Sequence, residues 1–137
     1  MDIRKAKKDE IKLVADMTQK LFEDEPSDTI LSMEQFEDRL LKYINAGCEV
    51  FLFIEEEIIG YALVNLDRNP YYLIDFFICR HHRRGGKGTK AFNFLMNELN
   101  TESIDLDVFC WNERGKKFWE SLGFKERAII MRKLIKT

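Results

Sequence analysis

The residues best equipped for chemistry crowd into one stretch, Arg80-His81-His82-Arg83-Arg84-Gly85-Gly86-Lys87-Gly88. It is basic and carries three glycines. Before it runs an apolar, aromatic segment, Tyr71 to Cys79, that reads as a strand buried on both faces, with Asp75 as its one acidic residue. After it, Thr89 to Asn100 places Phe92, Leu95, Met96 and Leu99 at helical spacing. Strand, glycine loop and helix in that order build an anion site. Glycine lets backbone approach a ligand closely, and the first helical turn offers unpaired N–H groups at the positive end of a dipole. Arg83, Arg84 and Lys87 add formal charge. The expected guest is a phosphate or pyrophosphate.

The pattern narrows that guest. The P-loop signature GxxxxGK[ST] is absent, and so is the dinucleotide signature GxGxxG. The fit is to [R/Q]xxGxG, over Arg83 to Gly88. Other chemistries find less support. Cys48, Cys79 and Cys110 show no CxxC spacing and read as reduced core thiols. The two histidines, His81 and His82, are adjacent, which argues against a zinc site and for a surface position, so no metal is expected.

The rest of the chain must position that loop. Its 137 residues suit one domain, 1–137, and 45% apolar with 34% charged residues suits a soluble globular protein. A net charge of −2 gives no global reason to expect nucleic acid. There is no apolar run of signal-peptide or membrane-span length, so a cytoplasmic location and no membrane partner are expected. Met1 to Ala6 reads as a strand, and Asp9 is placed to cap a helix reaching about Glu23. Glu23 to Asp28 is an acidic break. Ser32-Met33-Glu34-Gln35 is a capping-box pattern opening a second helix through Phe36, Leu40, Tyr43 and Ile44. Glu49 to Ile54 and Ile58 to Asn65 read as a hairpin around Glu55-Glu56-Glu57. Beyond the glycine loop and its helix, a strand is expected over Ser103 to Cys110 and a helix over Glu113 to Leu122, ended by Gly123. A last strand is expected over Lys125 to Leu134, with Ile129, Ile130 and Met131 in the core. The order β-α-α-β-β-β-α-β-α-β predicts an α/β fold of the α+β type. Its mixed sheet is mostly antiparallel in the N-terminal half and is followed by a β-α-β unit.

Two motifs carry a resemblance. One is the loop Arg83 to Gly88. The other is Trp111-Asn112-Glu113 through Phe118-Trp119-Glu120-Ser121-Leu122-Gly123-Phe124, some 25 residues on. Together, in this element order, they resemble the GNAT superfamily of acyl-CoA-dependent N-acetyltransferases. The resemblance implies acetyl-CoA as co-substrate, an amine acceptor and a parallel strand pair splayed around the cofactor unit. Backbone groups of Ile78 and Cys79 would hold the pantetheine arm, with an N–H at Ile78 as oxyanion donor. The loop from Arg83 through Arg84, Gly85, Gly86, Lys87 and Gly88 to Thr89 would hold the pyrophosphate. The Asn112 side chain would contact pantetheine or fix the splay.

The match has departures. Trp119 stands where the family usually has the tyrosine that returns a proton to the departing thiolate, and an indole N–H lacks that acidity. Gly115 replaces a usual alanine, and Lys87 a usual aliphatic. Asp75 is the candidate general base, with an ion-paired Asp75 as the competing reading. The resemblance implies a small cationic primary amine, because the triplet Trp111-Asn112-Glu113 is similar to that of polyamine and diamine acetyltransferases and the acidic break lies where the family's acceptor site is bordered. The alternative is a non-catalytic acyl-CoA-binding or regulatory module on the same fold. Monomer and homodimer both stay open.

Overall fold

The structure is a computed structural model and describes residues 1–25 and 29–135. Pro26, Ser27 and Asp28 of the acidic break therefore lie outside the described residues. The chain divides into two compact units, Met1–Asp107 and Val108–Thr137.

The first unit runs β1 (Asp2–Lys5), a 3-10 turn (Lys8–Glu10), α1 (Ile11–Asp24), α2 (Met33–Asn45), β2 (Glu49–Glu55), β3 (Glu57–Asn65) and β4 (Tyr71–Ile78). A second 3-10 turn (Arg80–His82), α3 (Lys87–Leu99) and β5 (Ile104–Asp105) complete it. The sheet order is β1-β2-β3-β4-β5, antiparallel throughout except for the parallel β4–β5 pair. This is the mixed α/β architecture expected.

Alternation along the strands buries both faces of the sheet. Val50, Leu52, Tyr61, Leu63 and Phe77 pack with Val14, Met17 and Leu21 of α1 and Leu40 of α2. Residues of opposite parity form an aromatic chain that reaches α3. Phe53 meets Phe76 at 5.5 Å between ring centroids, and Phe76 meets Phe92 at 6.3 Å. β4 is therefore sandwiched between helices, which is why its sequence is apolar on both faces.

Local signals set the helix ends, with two adjustments. Ser32 caps α2 as expected: its hydroxyl accepts from the Gln35 N–H (3.2 Å), while Gln35 Oε1 accepts from the Ser32 N–H (2.8 Å). Asp9 does not cap α1. Glu10 takes the role of closing the preceding turn, accepting from the Lys7 N–H at 2.8 Å and pairing with Arg4. The Arg4 hydrogen bonds, then the Lys7 N–H, hold the Glu10 carboxyl down at about 2. α3 begins at Lys87 rather than Thr89, so Gly88 lies in its first turn.

Two expected strands are corrected. The expected strand over Ser103 to Cys110 shrinks to Ile104–Asp105, paired only with Tyr71 and Tyr72. No strand forms over 125–134, and Ile129, Ile130 and Met131 are 82%, 84% and 88% exposed rather than buried. Alternating polarity shows that a segment suits a strand. It does not supply a ladder partner, and a strand exists only as a pairing.

The second unit holds α4 (Glu113–Ser121). The Asn112 side chain caps it, accepting from the Gly115 N–H at 3.0 Å. At the other end the Phe124 N–H donates to the Trp119 carbonyl (3.1 Å) across Gly123, whose φ is +96°.

Candidate active site

The glycine loop has the conformation an anion cradle requires. Gly85 and Gly86 have φ of +79° and +72°, left-handed values that a side chain resists. A Cβ built on either would meet nothing within 4 Å, so backbone conformation rather than crowding selects glycine there, and the space beside it is open. Gly86 is the N-cap of α3, and its carbonyl accepts from the Lys90 N–H (3.0 Å). The N–H groups of Lys87, Gly88 and Thr89 precede the first intrahelical bond and have no helical partner.

The charge of the loop is distributed differently from the expectation. Asp24, at the end of α1, pairs with both Arg80 and Arg83. These two guanidiniums overcome the desolvation of the Asp24 carboxyl and hold it below the usual carboxylate range. Lys87 pairs with Glu55 at the end of β2. Of Arg83, Arg84 and Lys87, only Arg84 has no ion-pair partner among the described residues. Arg83 also donates from Nε to the Ile78 carbonyl at 2.7 Å, which pins the loop to the end of β4.

β4 changes character along its length. Its pairing with β5 stops at Tyr72, and its ladder with β3 continues to Ile78. The Cys79 N–H donates to the Ile59 carbonyl at 2.7 Å, so Gly60 and Ile78 form a non-hydrogen-bonded pair. Phe76 and Ile78 therefore turn their own peptide groups away from β3, toward the side where β5 has ended. Cys79 turns its N–H inward to β3. Gly60 was not recognised from the sequence as part of this arrangement. A Cβ there would collide with the Phe77 carbonyl oxygen and lie 3.0 Å from Ile78 Cδ1. An isolated glycine inside a strand pattern was the available signal.

Asp75 is 5% exposed and fully engaged. Arg39 of α2 grips it with two bonds, NH1 to Oδ2 at 2.8 Å and NH2 to Oδ1 at 2.9 Å. The Tyr61 hydroxyl donates to Oδ2 at 3.0 Å, and Thr18 Oγ1 lies 2.7 Å from that hydroxyl. Burial, and next the Asp75 charge, push the Tyr61 hydroxyl far up, so it stays protonated. Arg39 lies over Phe22 and Tyr43, each 5.1 Å from ring centroid to guanidinium carbon. The sequence reading did not single out Arg39; its place on α2, three after Phe36 and four before Tyr43, was the available signal.

A second carboxyl nearby escaped the sequence reading. Desolvation pushes Glu25 up to about 7, and the charges of Asp75, Asp107 and Asp24 push in the same direction. Asp107 itself accepts a hydrogen bond from the Tyr72 hydroxyl.

The acetyltransferase (GNAT) family model matches residues 12–124. The chain belongs to the GNAT acetyltransferase family. No curated protein matches it. Solved structures share the fold at low identity. A point mutant of the BH1408 protein from Bacillus halodurans is 22% identical, with a TM-score of 0.76, covering 99% of this chain and 100% of that one. A predicted acetyltransferase from Clostridium acetobutylicum, solved with acetyl-CoA, is 17% identical with a TM-score of 0.73, covering 98% and 96%. An aminoglycoside 6'-N-acetyltransferase from Acinetobacter haemolyticus is 16% identical with a TM-score of 0.70, covering 99% and 100%.

In this GNAT chain the departures from the family pattern have physical reasons. A Cβ on Gly115 would lie 2.6 Å from Asn112 Nδ2, so alanine there would require the capping side chain to shift. Trp119 packs edge-on between Phe118 (4.8 Å) and Phe124 (5.3 Å). His81 and His82 stand on the 3-10 turn that leads into the loop, beside Glu57.

Proposed function

We propose that this chain is an N-acetyltransferase, one domain over residues 1–137, that moves an acetyl group from acetyl-CoA directly to a primary amine of a small cationic molecule. The observation that supports the reading is the left-handed glycine pair at the start of α3, close after a β4 whose Ile78 turns its peptide groups away from β3. Residues Arg84 to Thr89 hold a diphosphate through backbone N–H groups, with Arg84 as the unpaired cation. Ile78 and Cys79 border the arm, and Asn112 orders the start of α4. Acetyl-CoA supplies the activated acyl carbon as a thioester.

The Ile78 N–H stabilises the oxygen that becomes negative as the amine nitrogen bonds to that carbon. The carbon–sulfur bond then breaks. A thiolate of pKa near ~8.5 leaves at neutral pH without an acid from the Trp119 position. The amine must shed protons. Asp75, with both oxygens engaged by Arg39, serves in this reading to position Arg39 and Tyr61. Glu25, at about 7, is matched to accept a proton near neutral pH. The carboxylates Glu25 and Asp107 favour a cationic acceptor, as does the likeness to an aminoglycoside acetyltransferase.

The test is thiol release from acetyl-CoA over a panel of polyamines, aminoglycosides and lysine peptides, beside calorimetry of acetyl-CoA binding. Turnover with a small cationic amine is expected. Tight acetyl-CoA binding with silence across the panel would instead favour the non-catalytic acyl-CoA-binding module. Gly86→Val is expected to weaken acetyl-CoA binding at least about tenfold, because the valine resists φ of +72°.

A further inference from the structure

Away from the cradle, one cluster has a donor set with no part in acyl transfer. The β2–β3 turn, with Glu56 at φ of +66°, presents Glu57 as the first residue of β3. The Cys79–Ile59 hydrogen bond holds the start of β3 against the end of β4. The 3-10 turn Arg80–His82 follows immediately, and it brings both imidazoles over Glu57. His82 Nε2 lies 2.9 Å from Glu57 Oε1 and His81 Nε2 lies 3.9 Å from the same oxygen. The two imidazole rings are 4.3 Å apart between centroids. One ligand atom from each residue falls within 4.8 Å of the others.

We propose that Glu57, His81 and His82 form a surface site for one divalent transition-metal ion. Bonds of about 2.0–2.2 Å to imidazole nitrogen and carboxylate oxygen put tetrahedral ligand atoms roughly 3.3 Å apart. The observed 2.9 and 3.9 Å bracket that separation, and all three ligand atoms lie within 4.8 Å of one another. Two imidazoles and one carboxylate suit zinc, nickel or copper, while magnesium and calcium take oxygen donors. Three protein ligands leave positions for water. The adjacency of the histidines counted against a metal in the sequence, because the third donor comes from a turn more than 20 residues earlier and no spacing rule joins them. An ion here ties the β2–β3 turn to the approach of the glycine loop. The same turn carries Glu55, the partner of Lys87.

The experiment is calorimetric titration of the untagged, reduced chain with Zn²⁺ and Ni²⁺ at pH 7.5. The parent is compared with Glu57→Gln, His81→Ala, His82→Ala and Cys110→Ser. One ion per chain at micromolar affinity is expected. Each of the first three variants should weaken it about tenfold or more, and Cys110→Ser should leave it unchanged. Far-UV circular dichroism controls for folding; Glu57 opens β3 at the surface, and His81 and His82 stand on the 3-10 turn. Absence of saturable binding, or affinity unchanged in His82→Ala or lost in Cys110→Ser, overturns the proposal. The outcome is independent of acetyl transfer.

Discussion

Glu25 and Asp75 are carboxylates on one side of the sheet in opposite circumstances. Asp75 has an arginine fork and a tyrosine hydroxyl, while Glu25 is exposed beyond the end of α1 and feels the charges of Asp75, Asp107 and Asp24. The pH consequence follows for Glu25. Its folded value, about 7, lies above that of a free glutamate, so its protonated form favours folding below the unfolded value. That contribution is lost as pH rises through about 7. Glu25→Gln is therefore expected to raise stability at pH 8, by about 1 kcal/mol or less once solvent screening is allowed for, and to change nothing at pH 4. Denaturant melts at the two pH values check this. If Glu25 accepts the proton, the same variant also removes the rise in turnover through pH 7. Asp75 stood out in the sequence as the lone acid of an apolar strand. Its partner did not, because Arg39 lies 36 residues away and pairing at that range leaves no local trace. The loop cations were misread for the same reason: their acidic partners sit on α1 and β2.

Elements were most legible where their own residues decide them. The Ser32–Gln35 cap is written within four positions and formed as read. Ser32→Ala should cost about 1 kcal/mol, measurable by urea denaturation. The strand over 103–110 and the strand over 125–134 were less legible, since a strand depends on a partner elsewhere in the chain. Gly60 belongs to this scale as well. Gly60→Ala is expected to push the end of β4 off β3 and destabilise the protein by about 1–3 kcal/mol. It should also weaken acetyl-CoA binding, since Ile78 moves with that end; calorimetry beside a melt separates the two effects.

Across the first unit, Thr18, Tyr61, Asp75 and Arg39 link α1, β3, β4 and α2 through one buried polar chain. Each hydroxyl has a single proton. With the Tyr61 proton given to Asp75, Thr18 supplies either Tyr61 or the Val14 carbonyl at 2.9 Å. No buried side-chain nitrogen or oxygen among the described residues is left without a partner. Arg39→Met strands the Asp75 charge inside and should cost about 3–5 kcal/mol in urea denaturation, far more than an exposed ion pair would. This assembly was legible in outline, from element order and apolar stripes. Its polar interior was not.

β4 is an interior strand for its first two residues and an edge for the rest of its length. Bare sheet edges ordinarily invite another polypeptide to add on, a route to aggregation. Past Tyr72 the Ile78 peptide groups turn away from β3, and the Ile78 oxygen accepts from Arg83 Nε. So short a rail suits a slender tether bearing one or two amides better than a foreign strand, which needs a longer run of ladder bonds to hold.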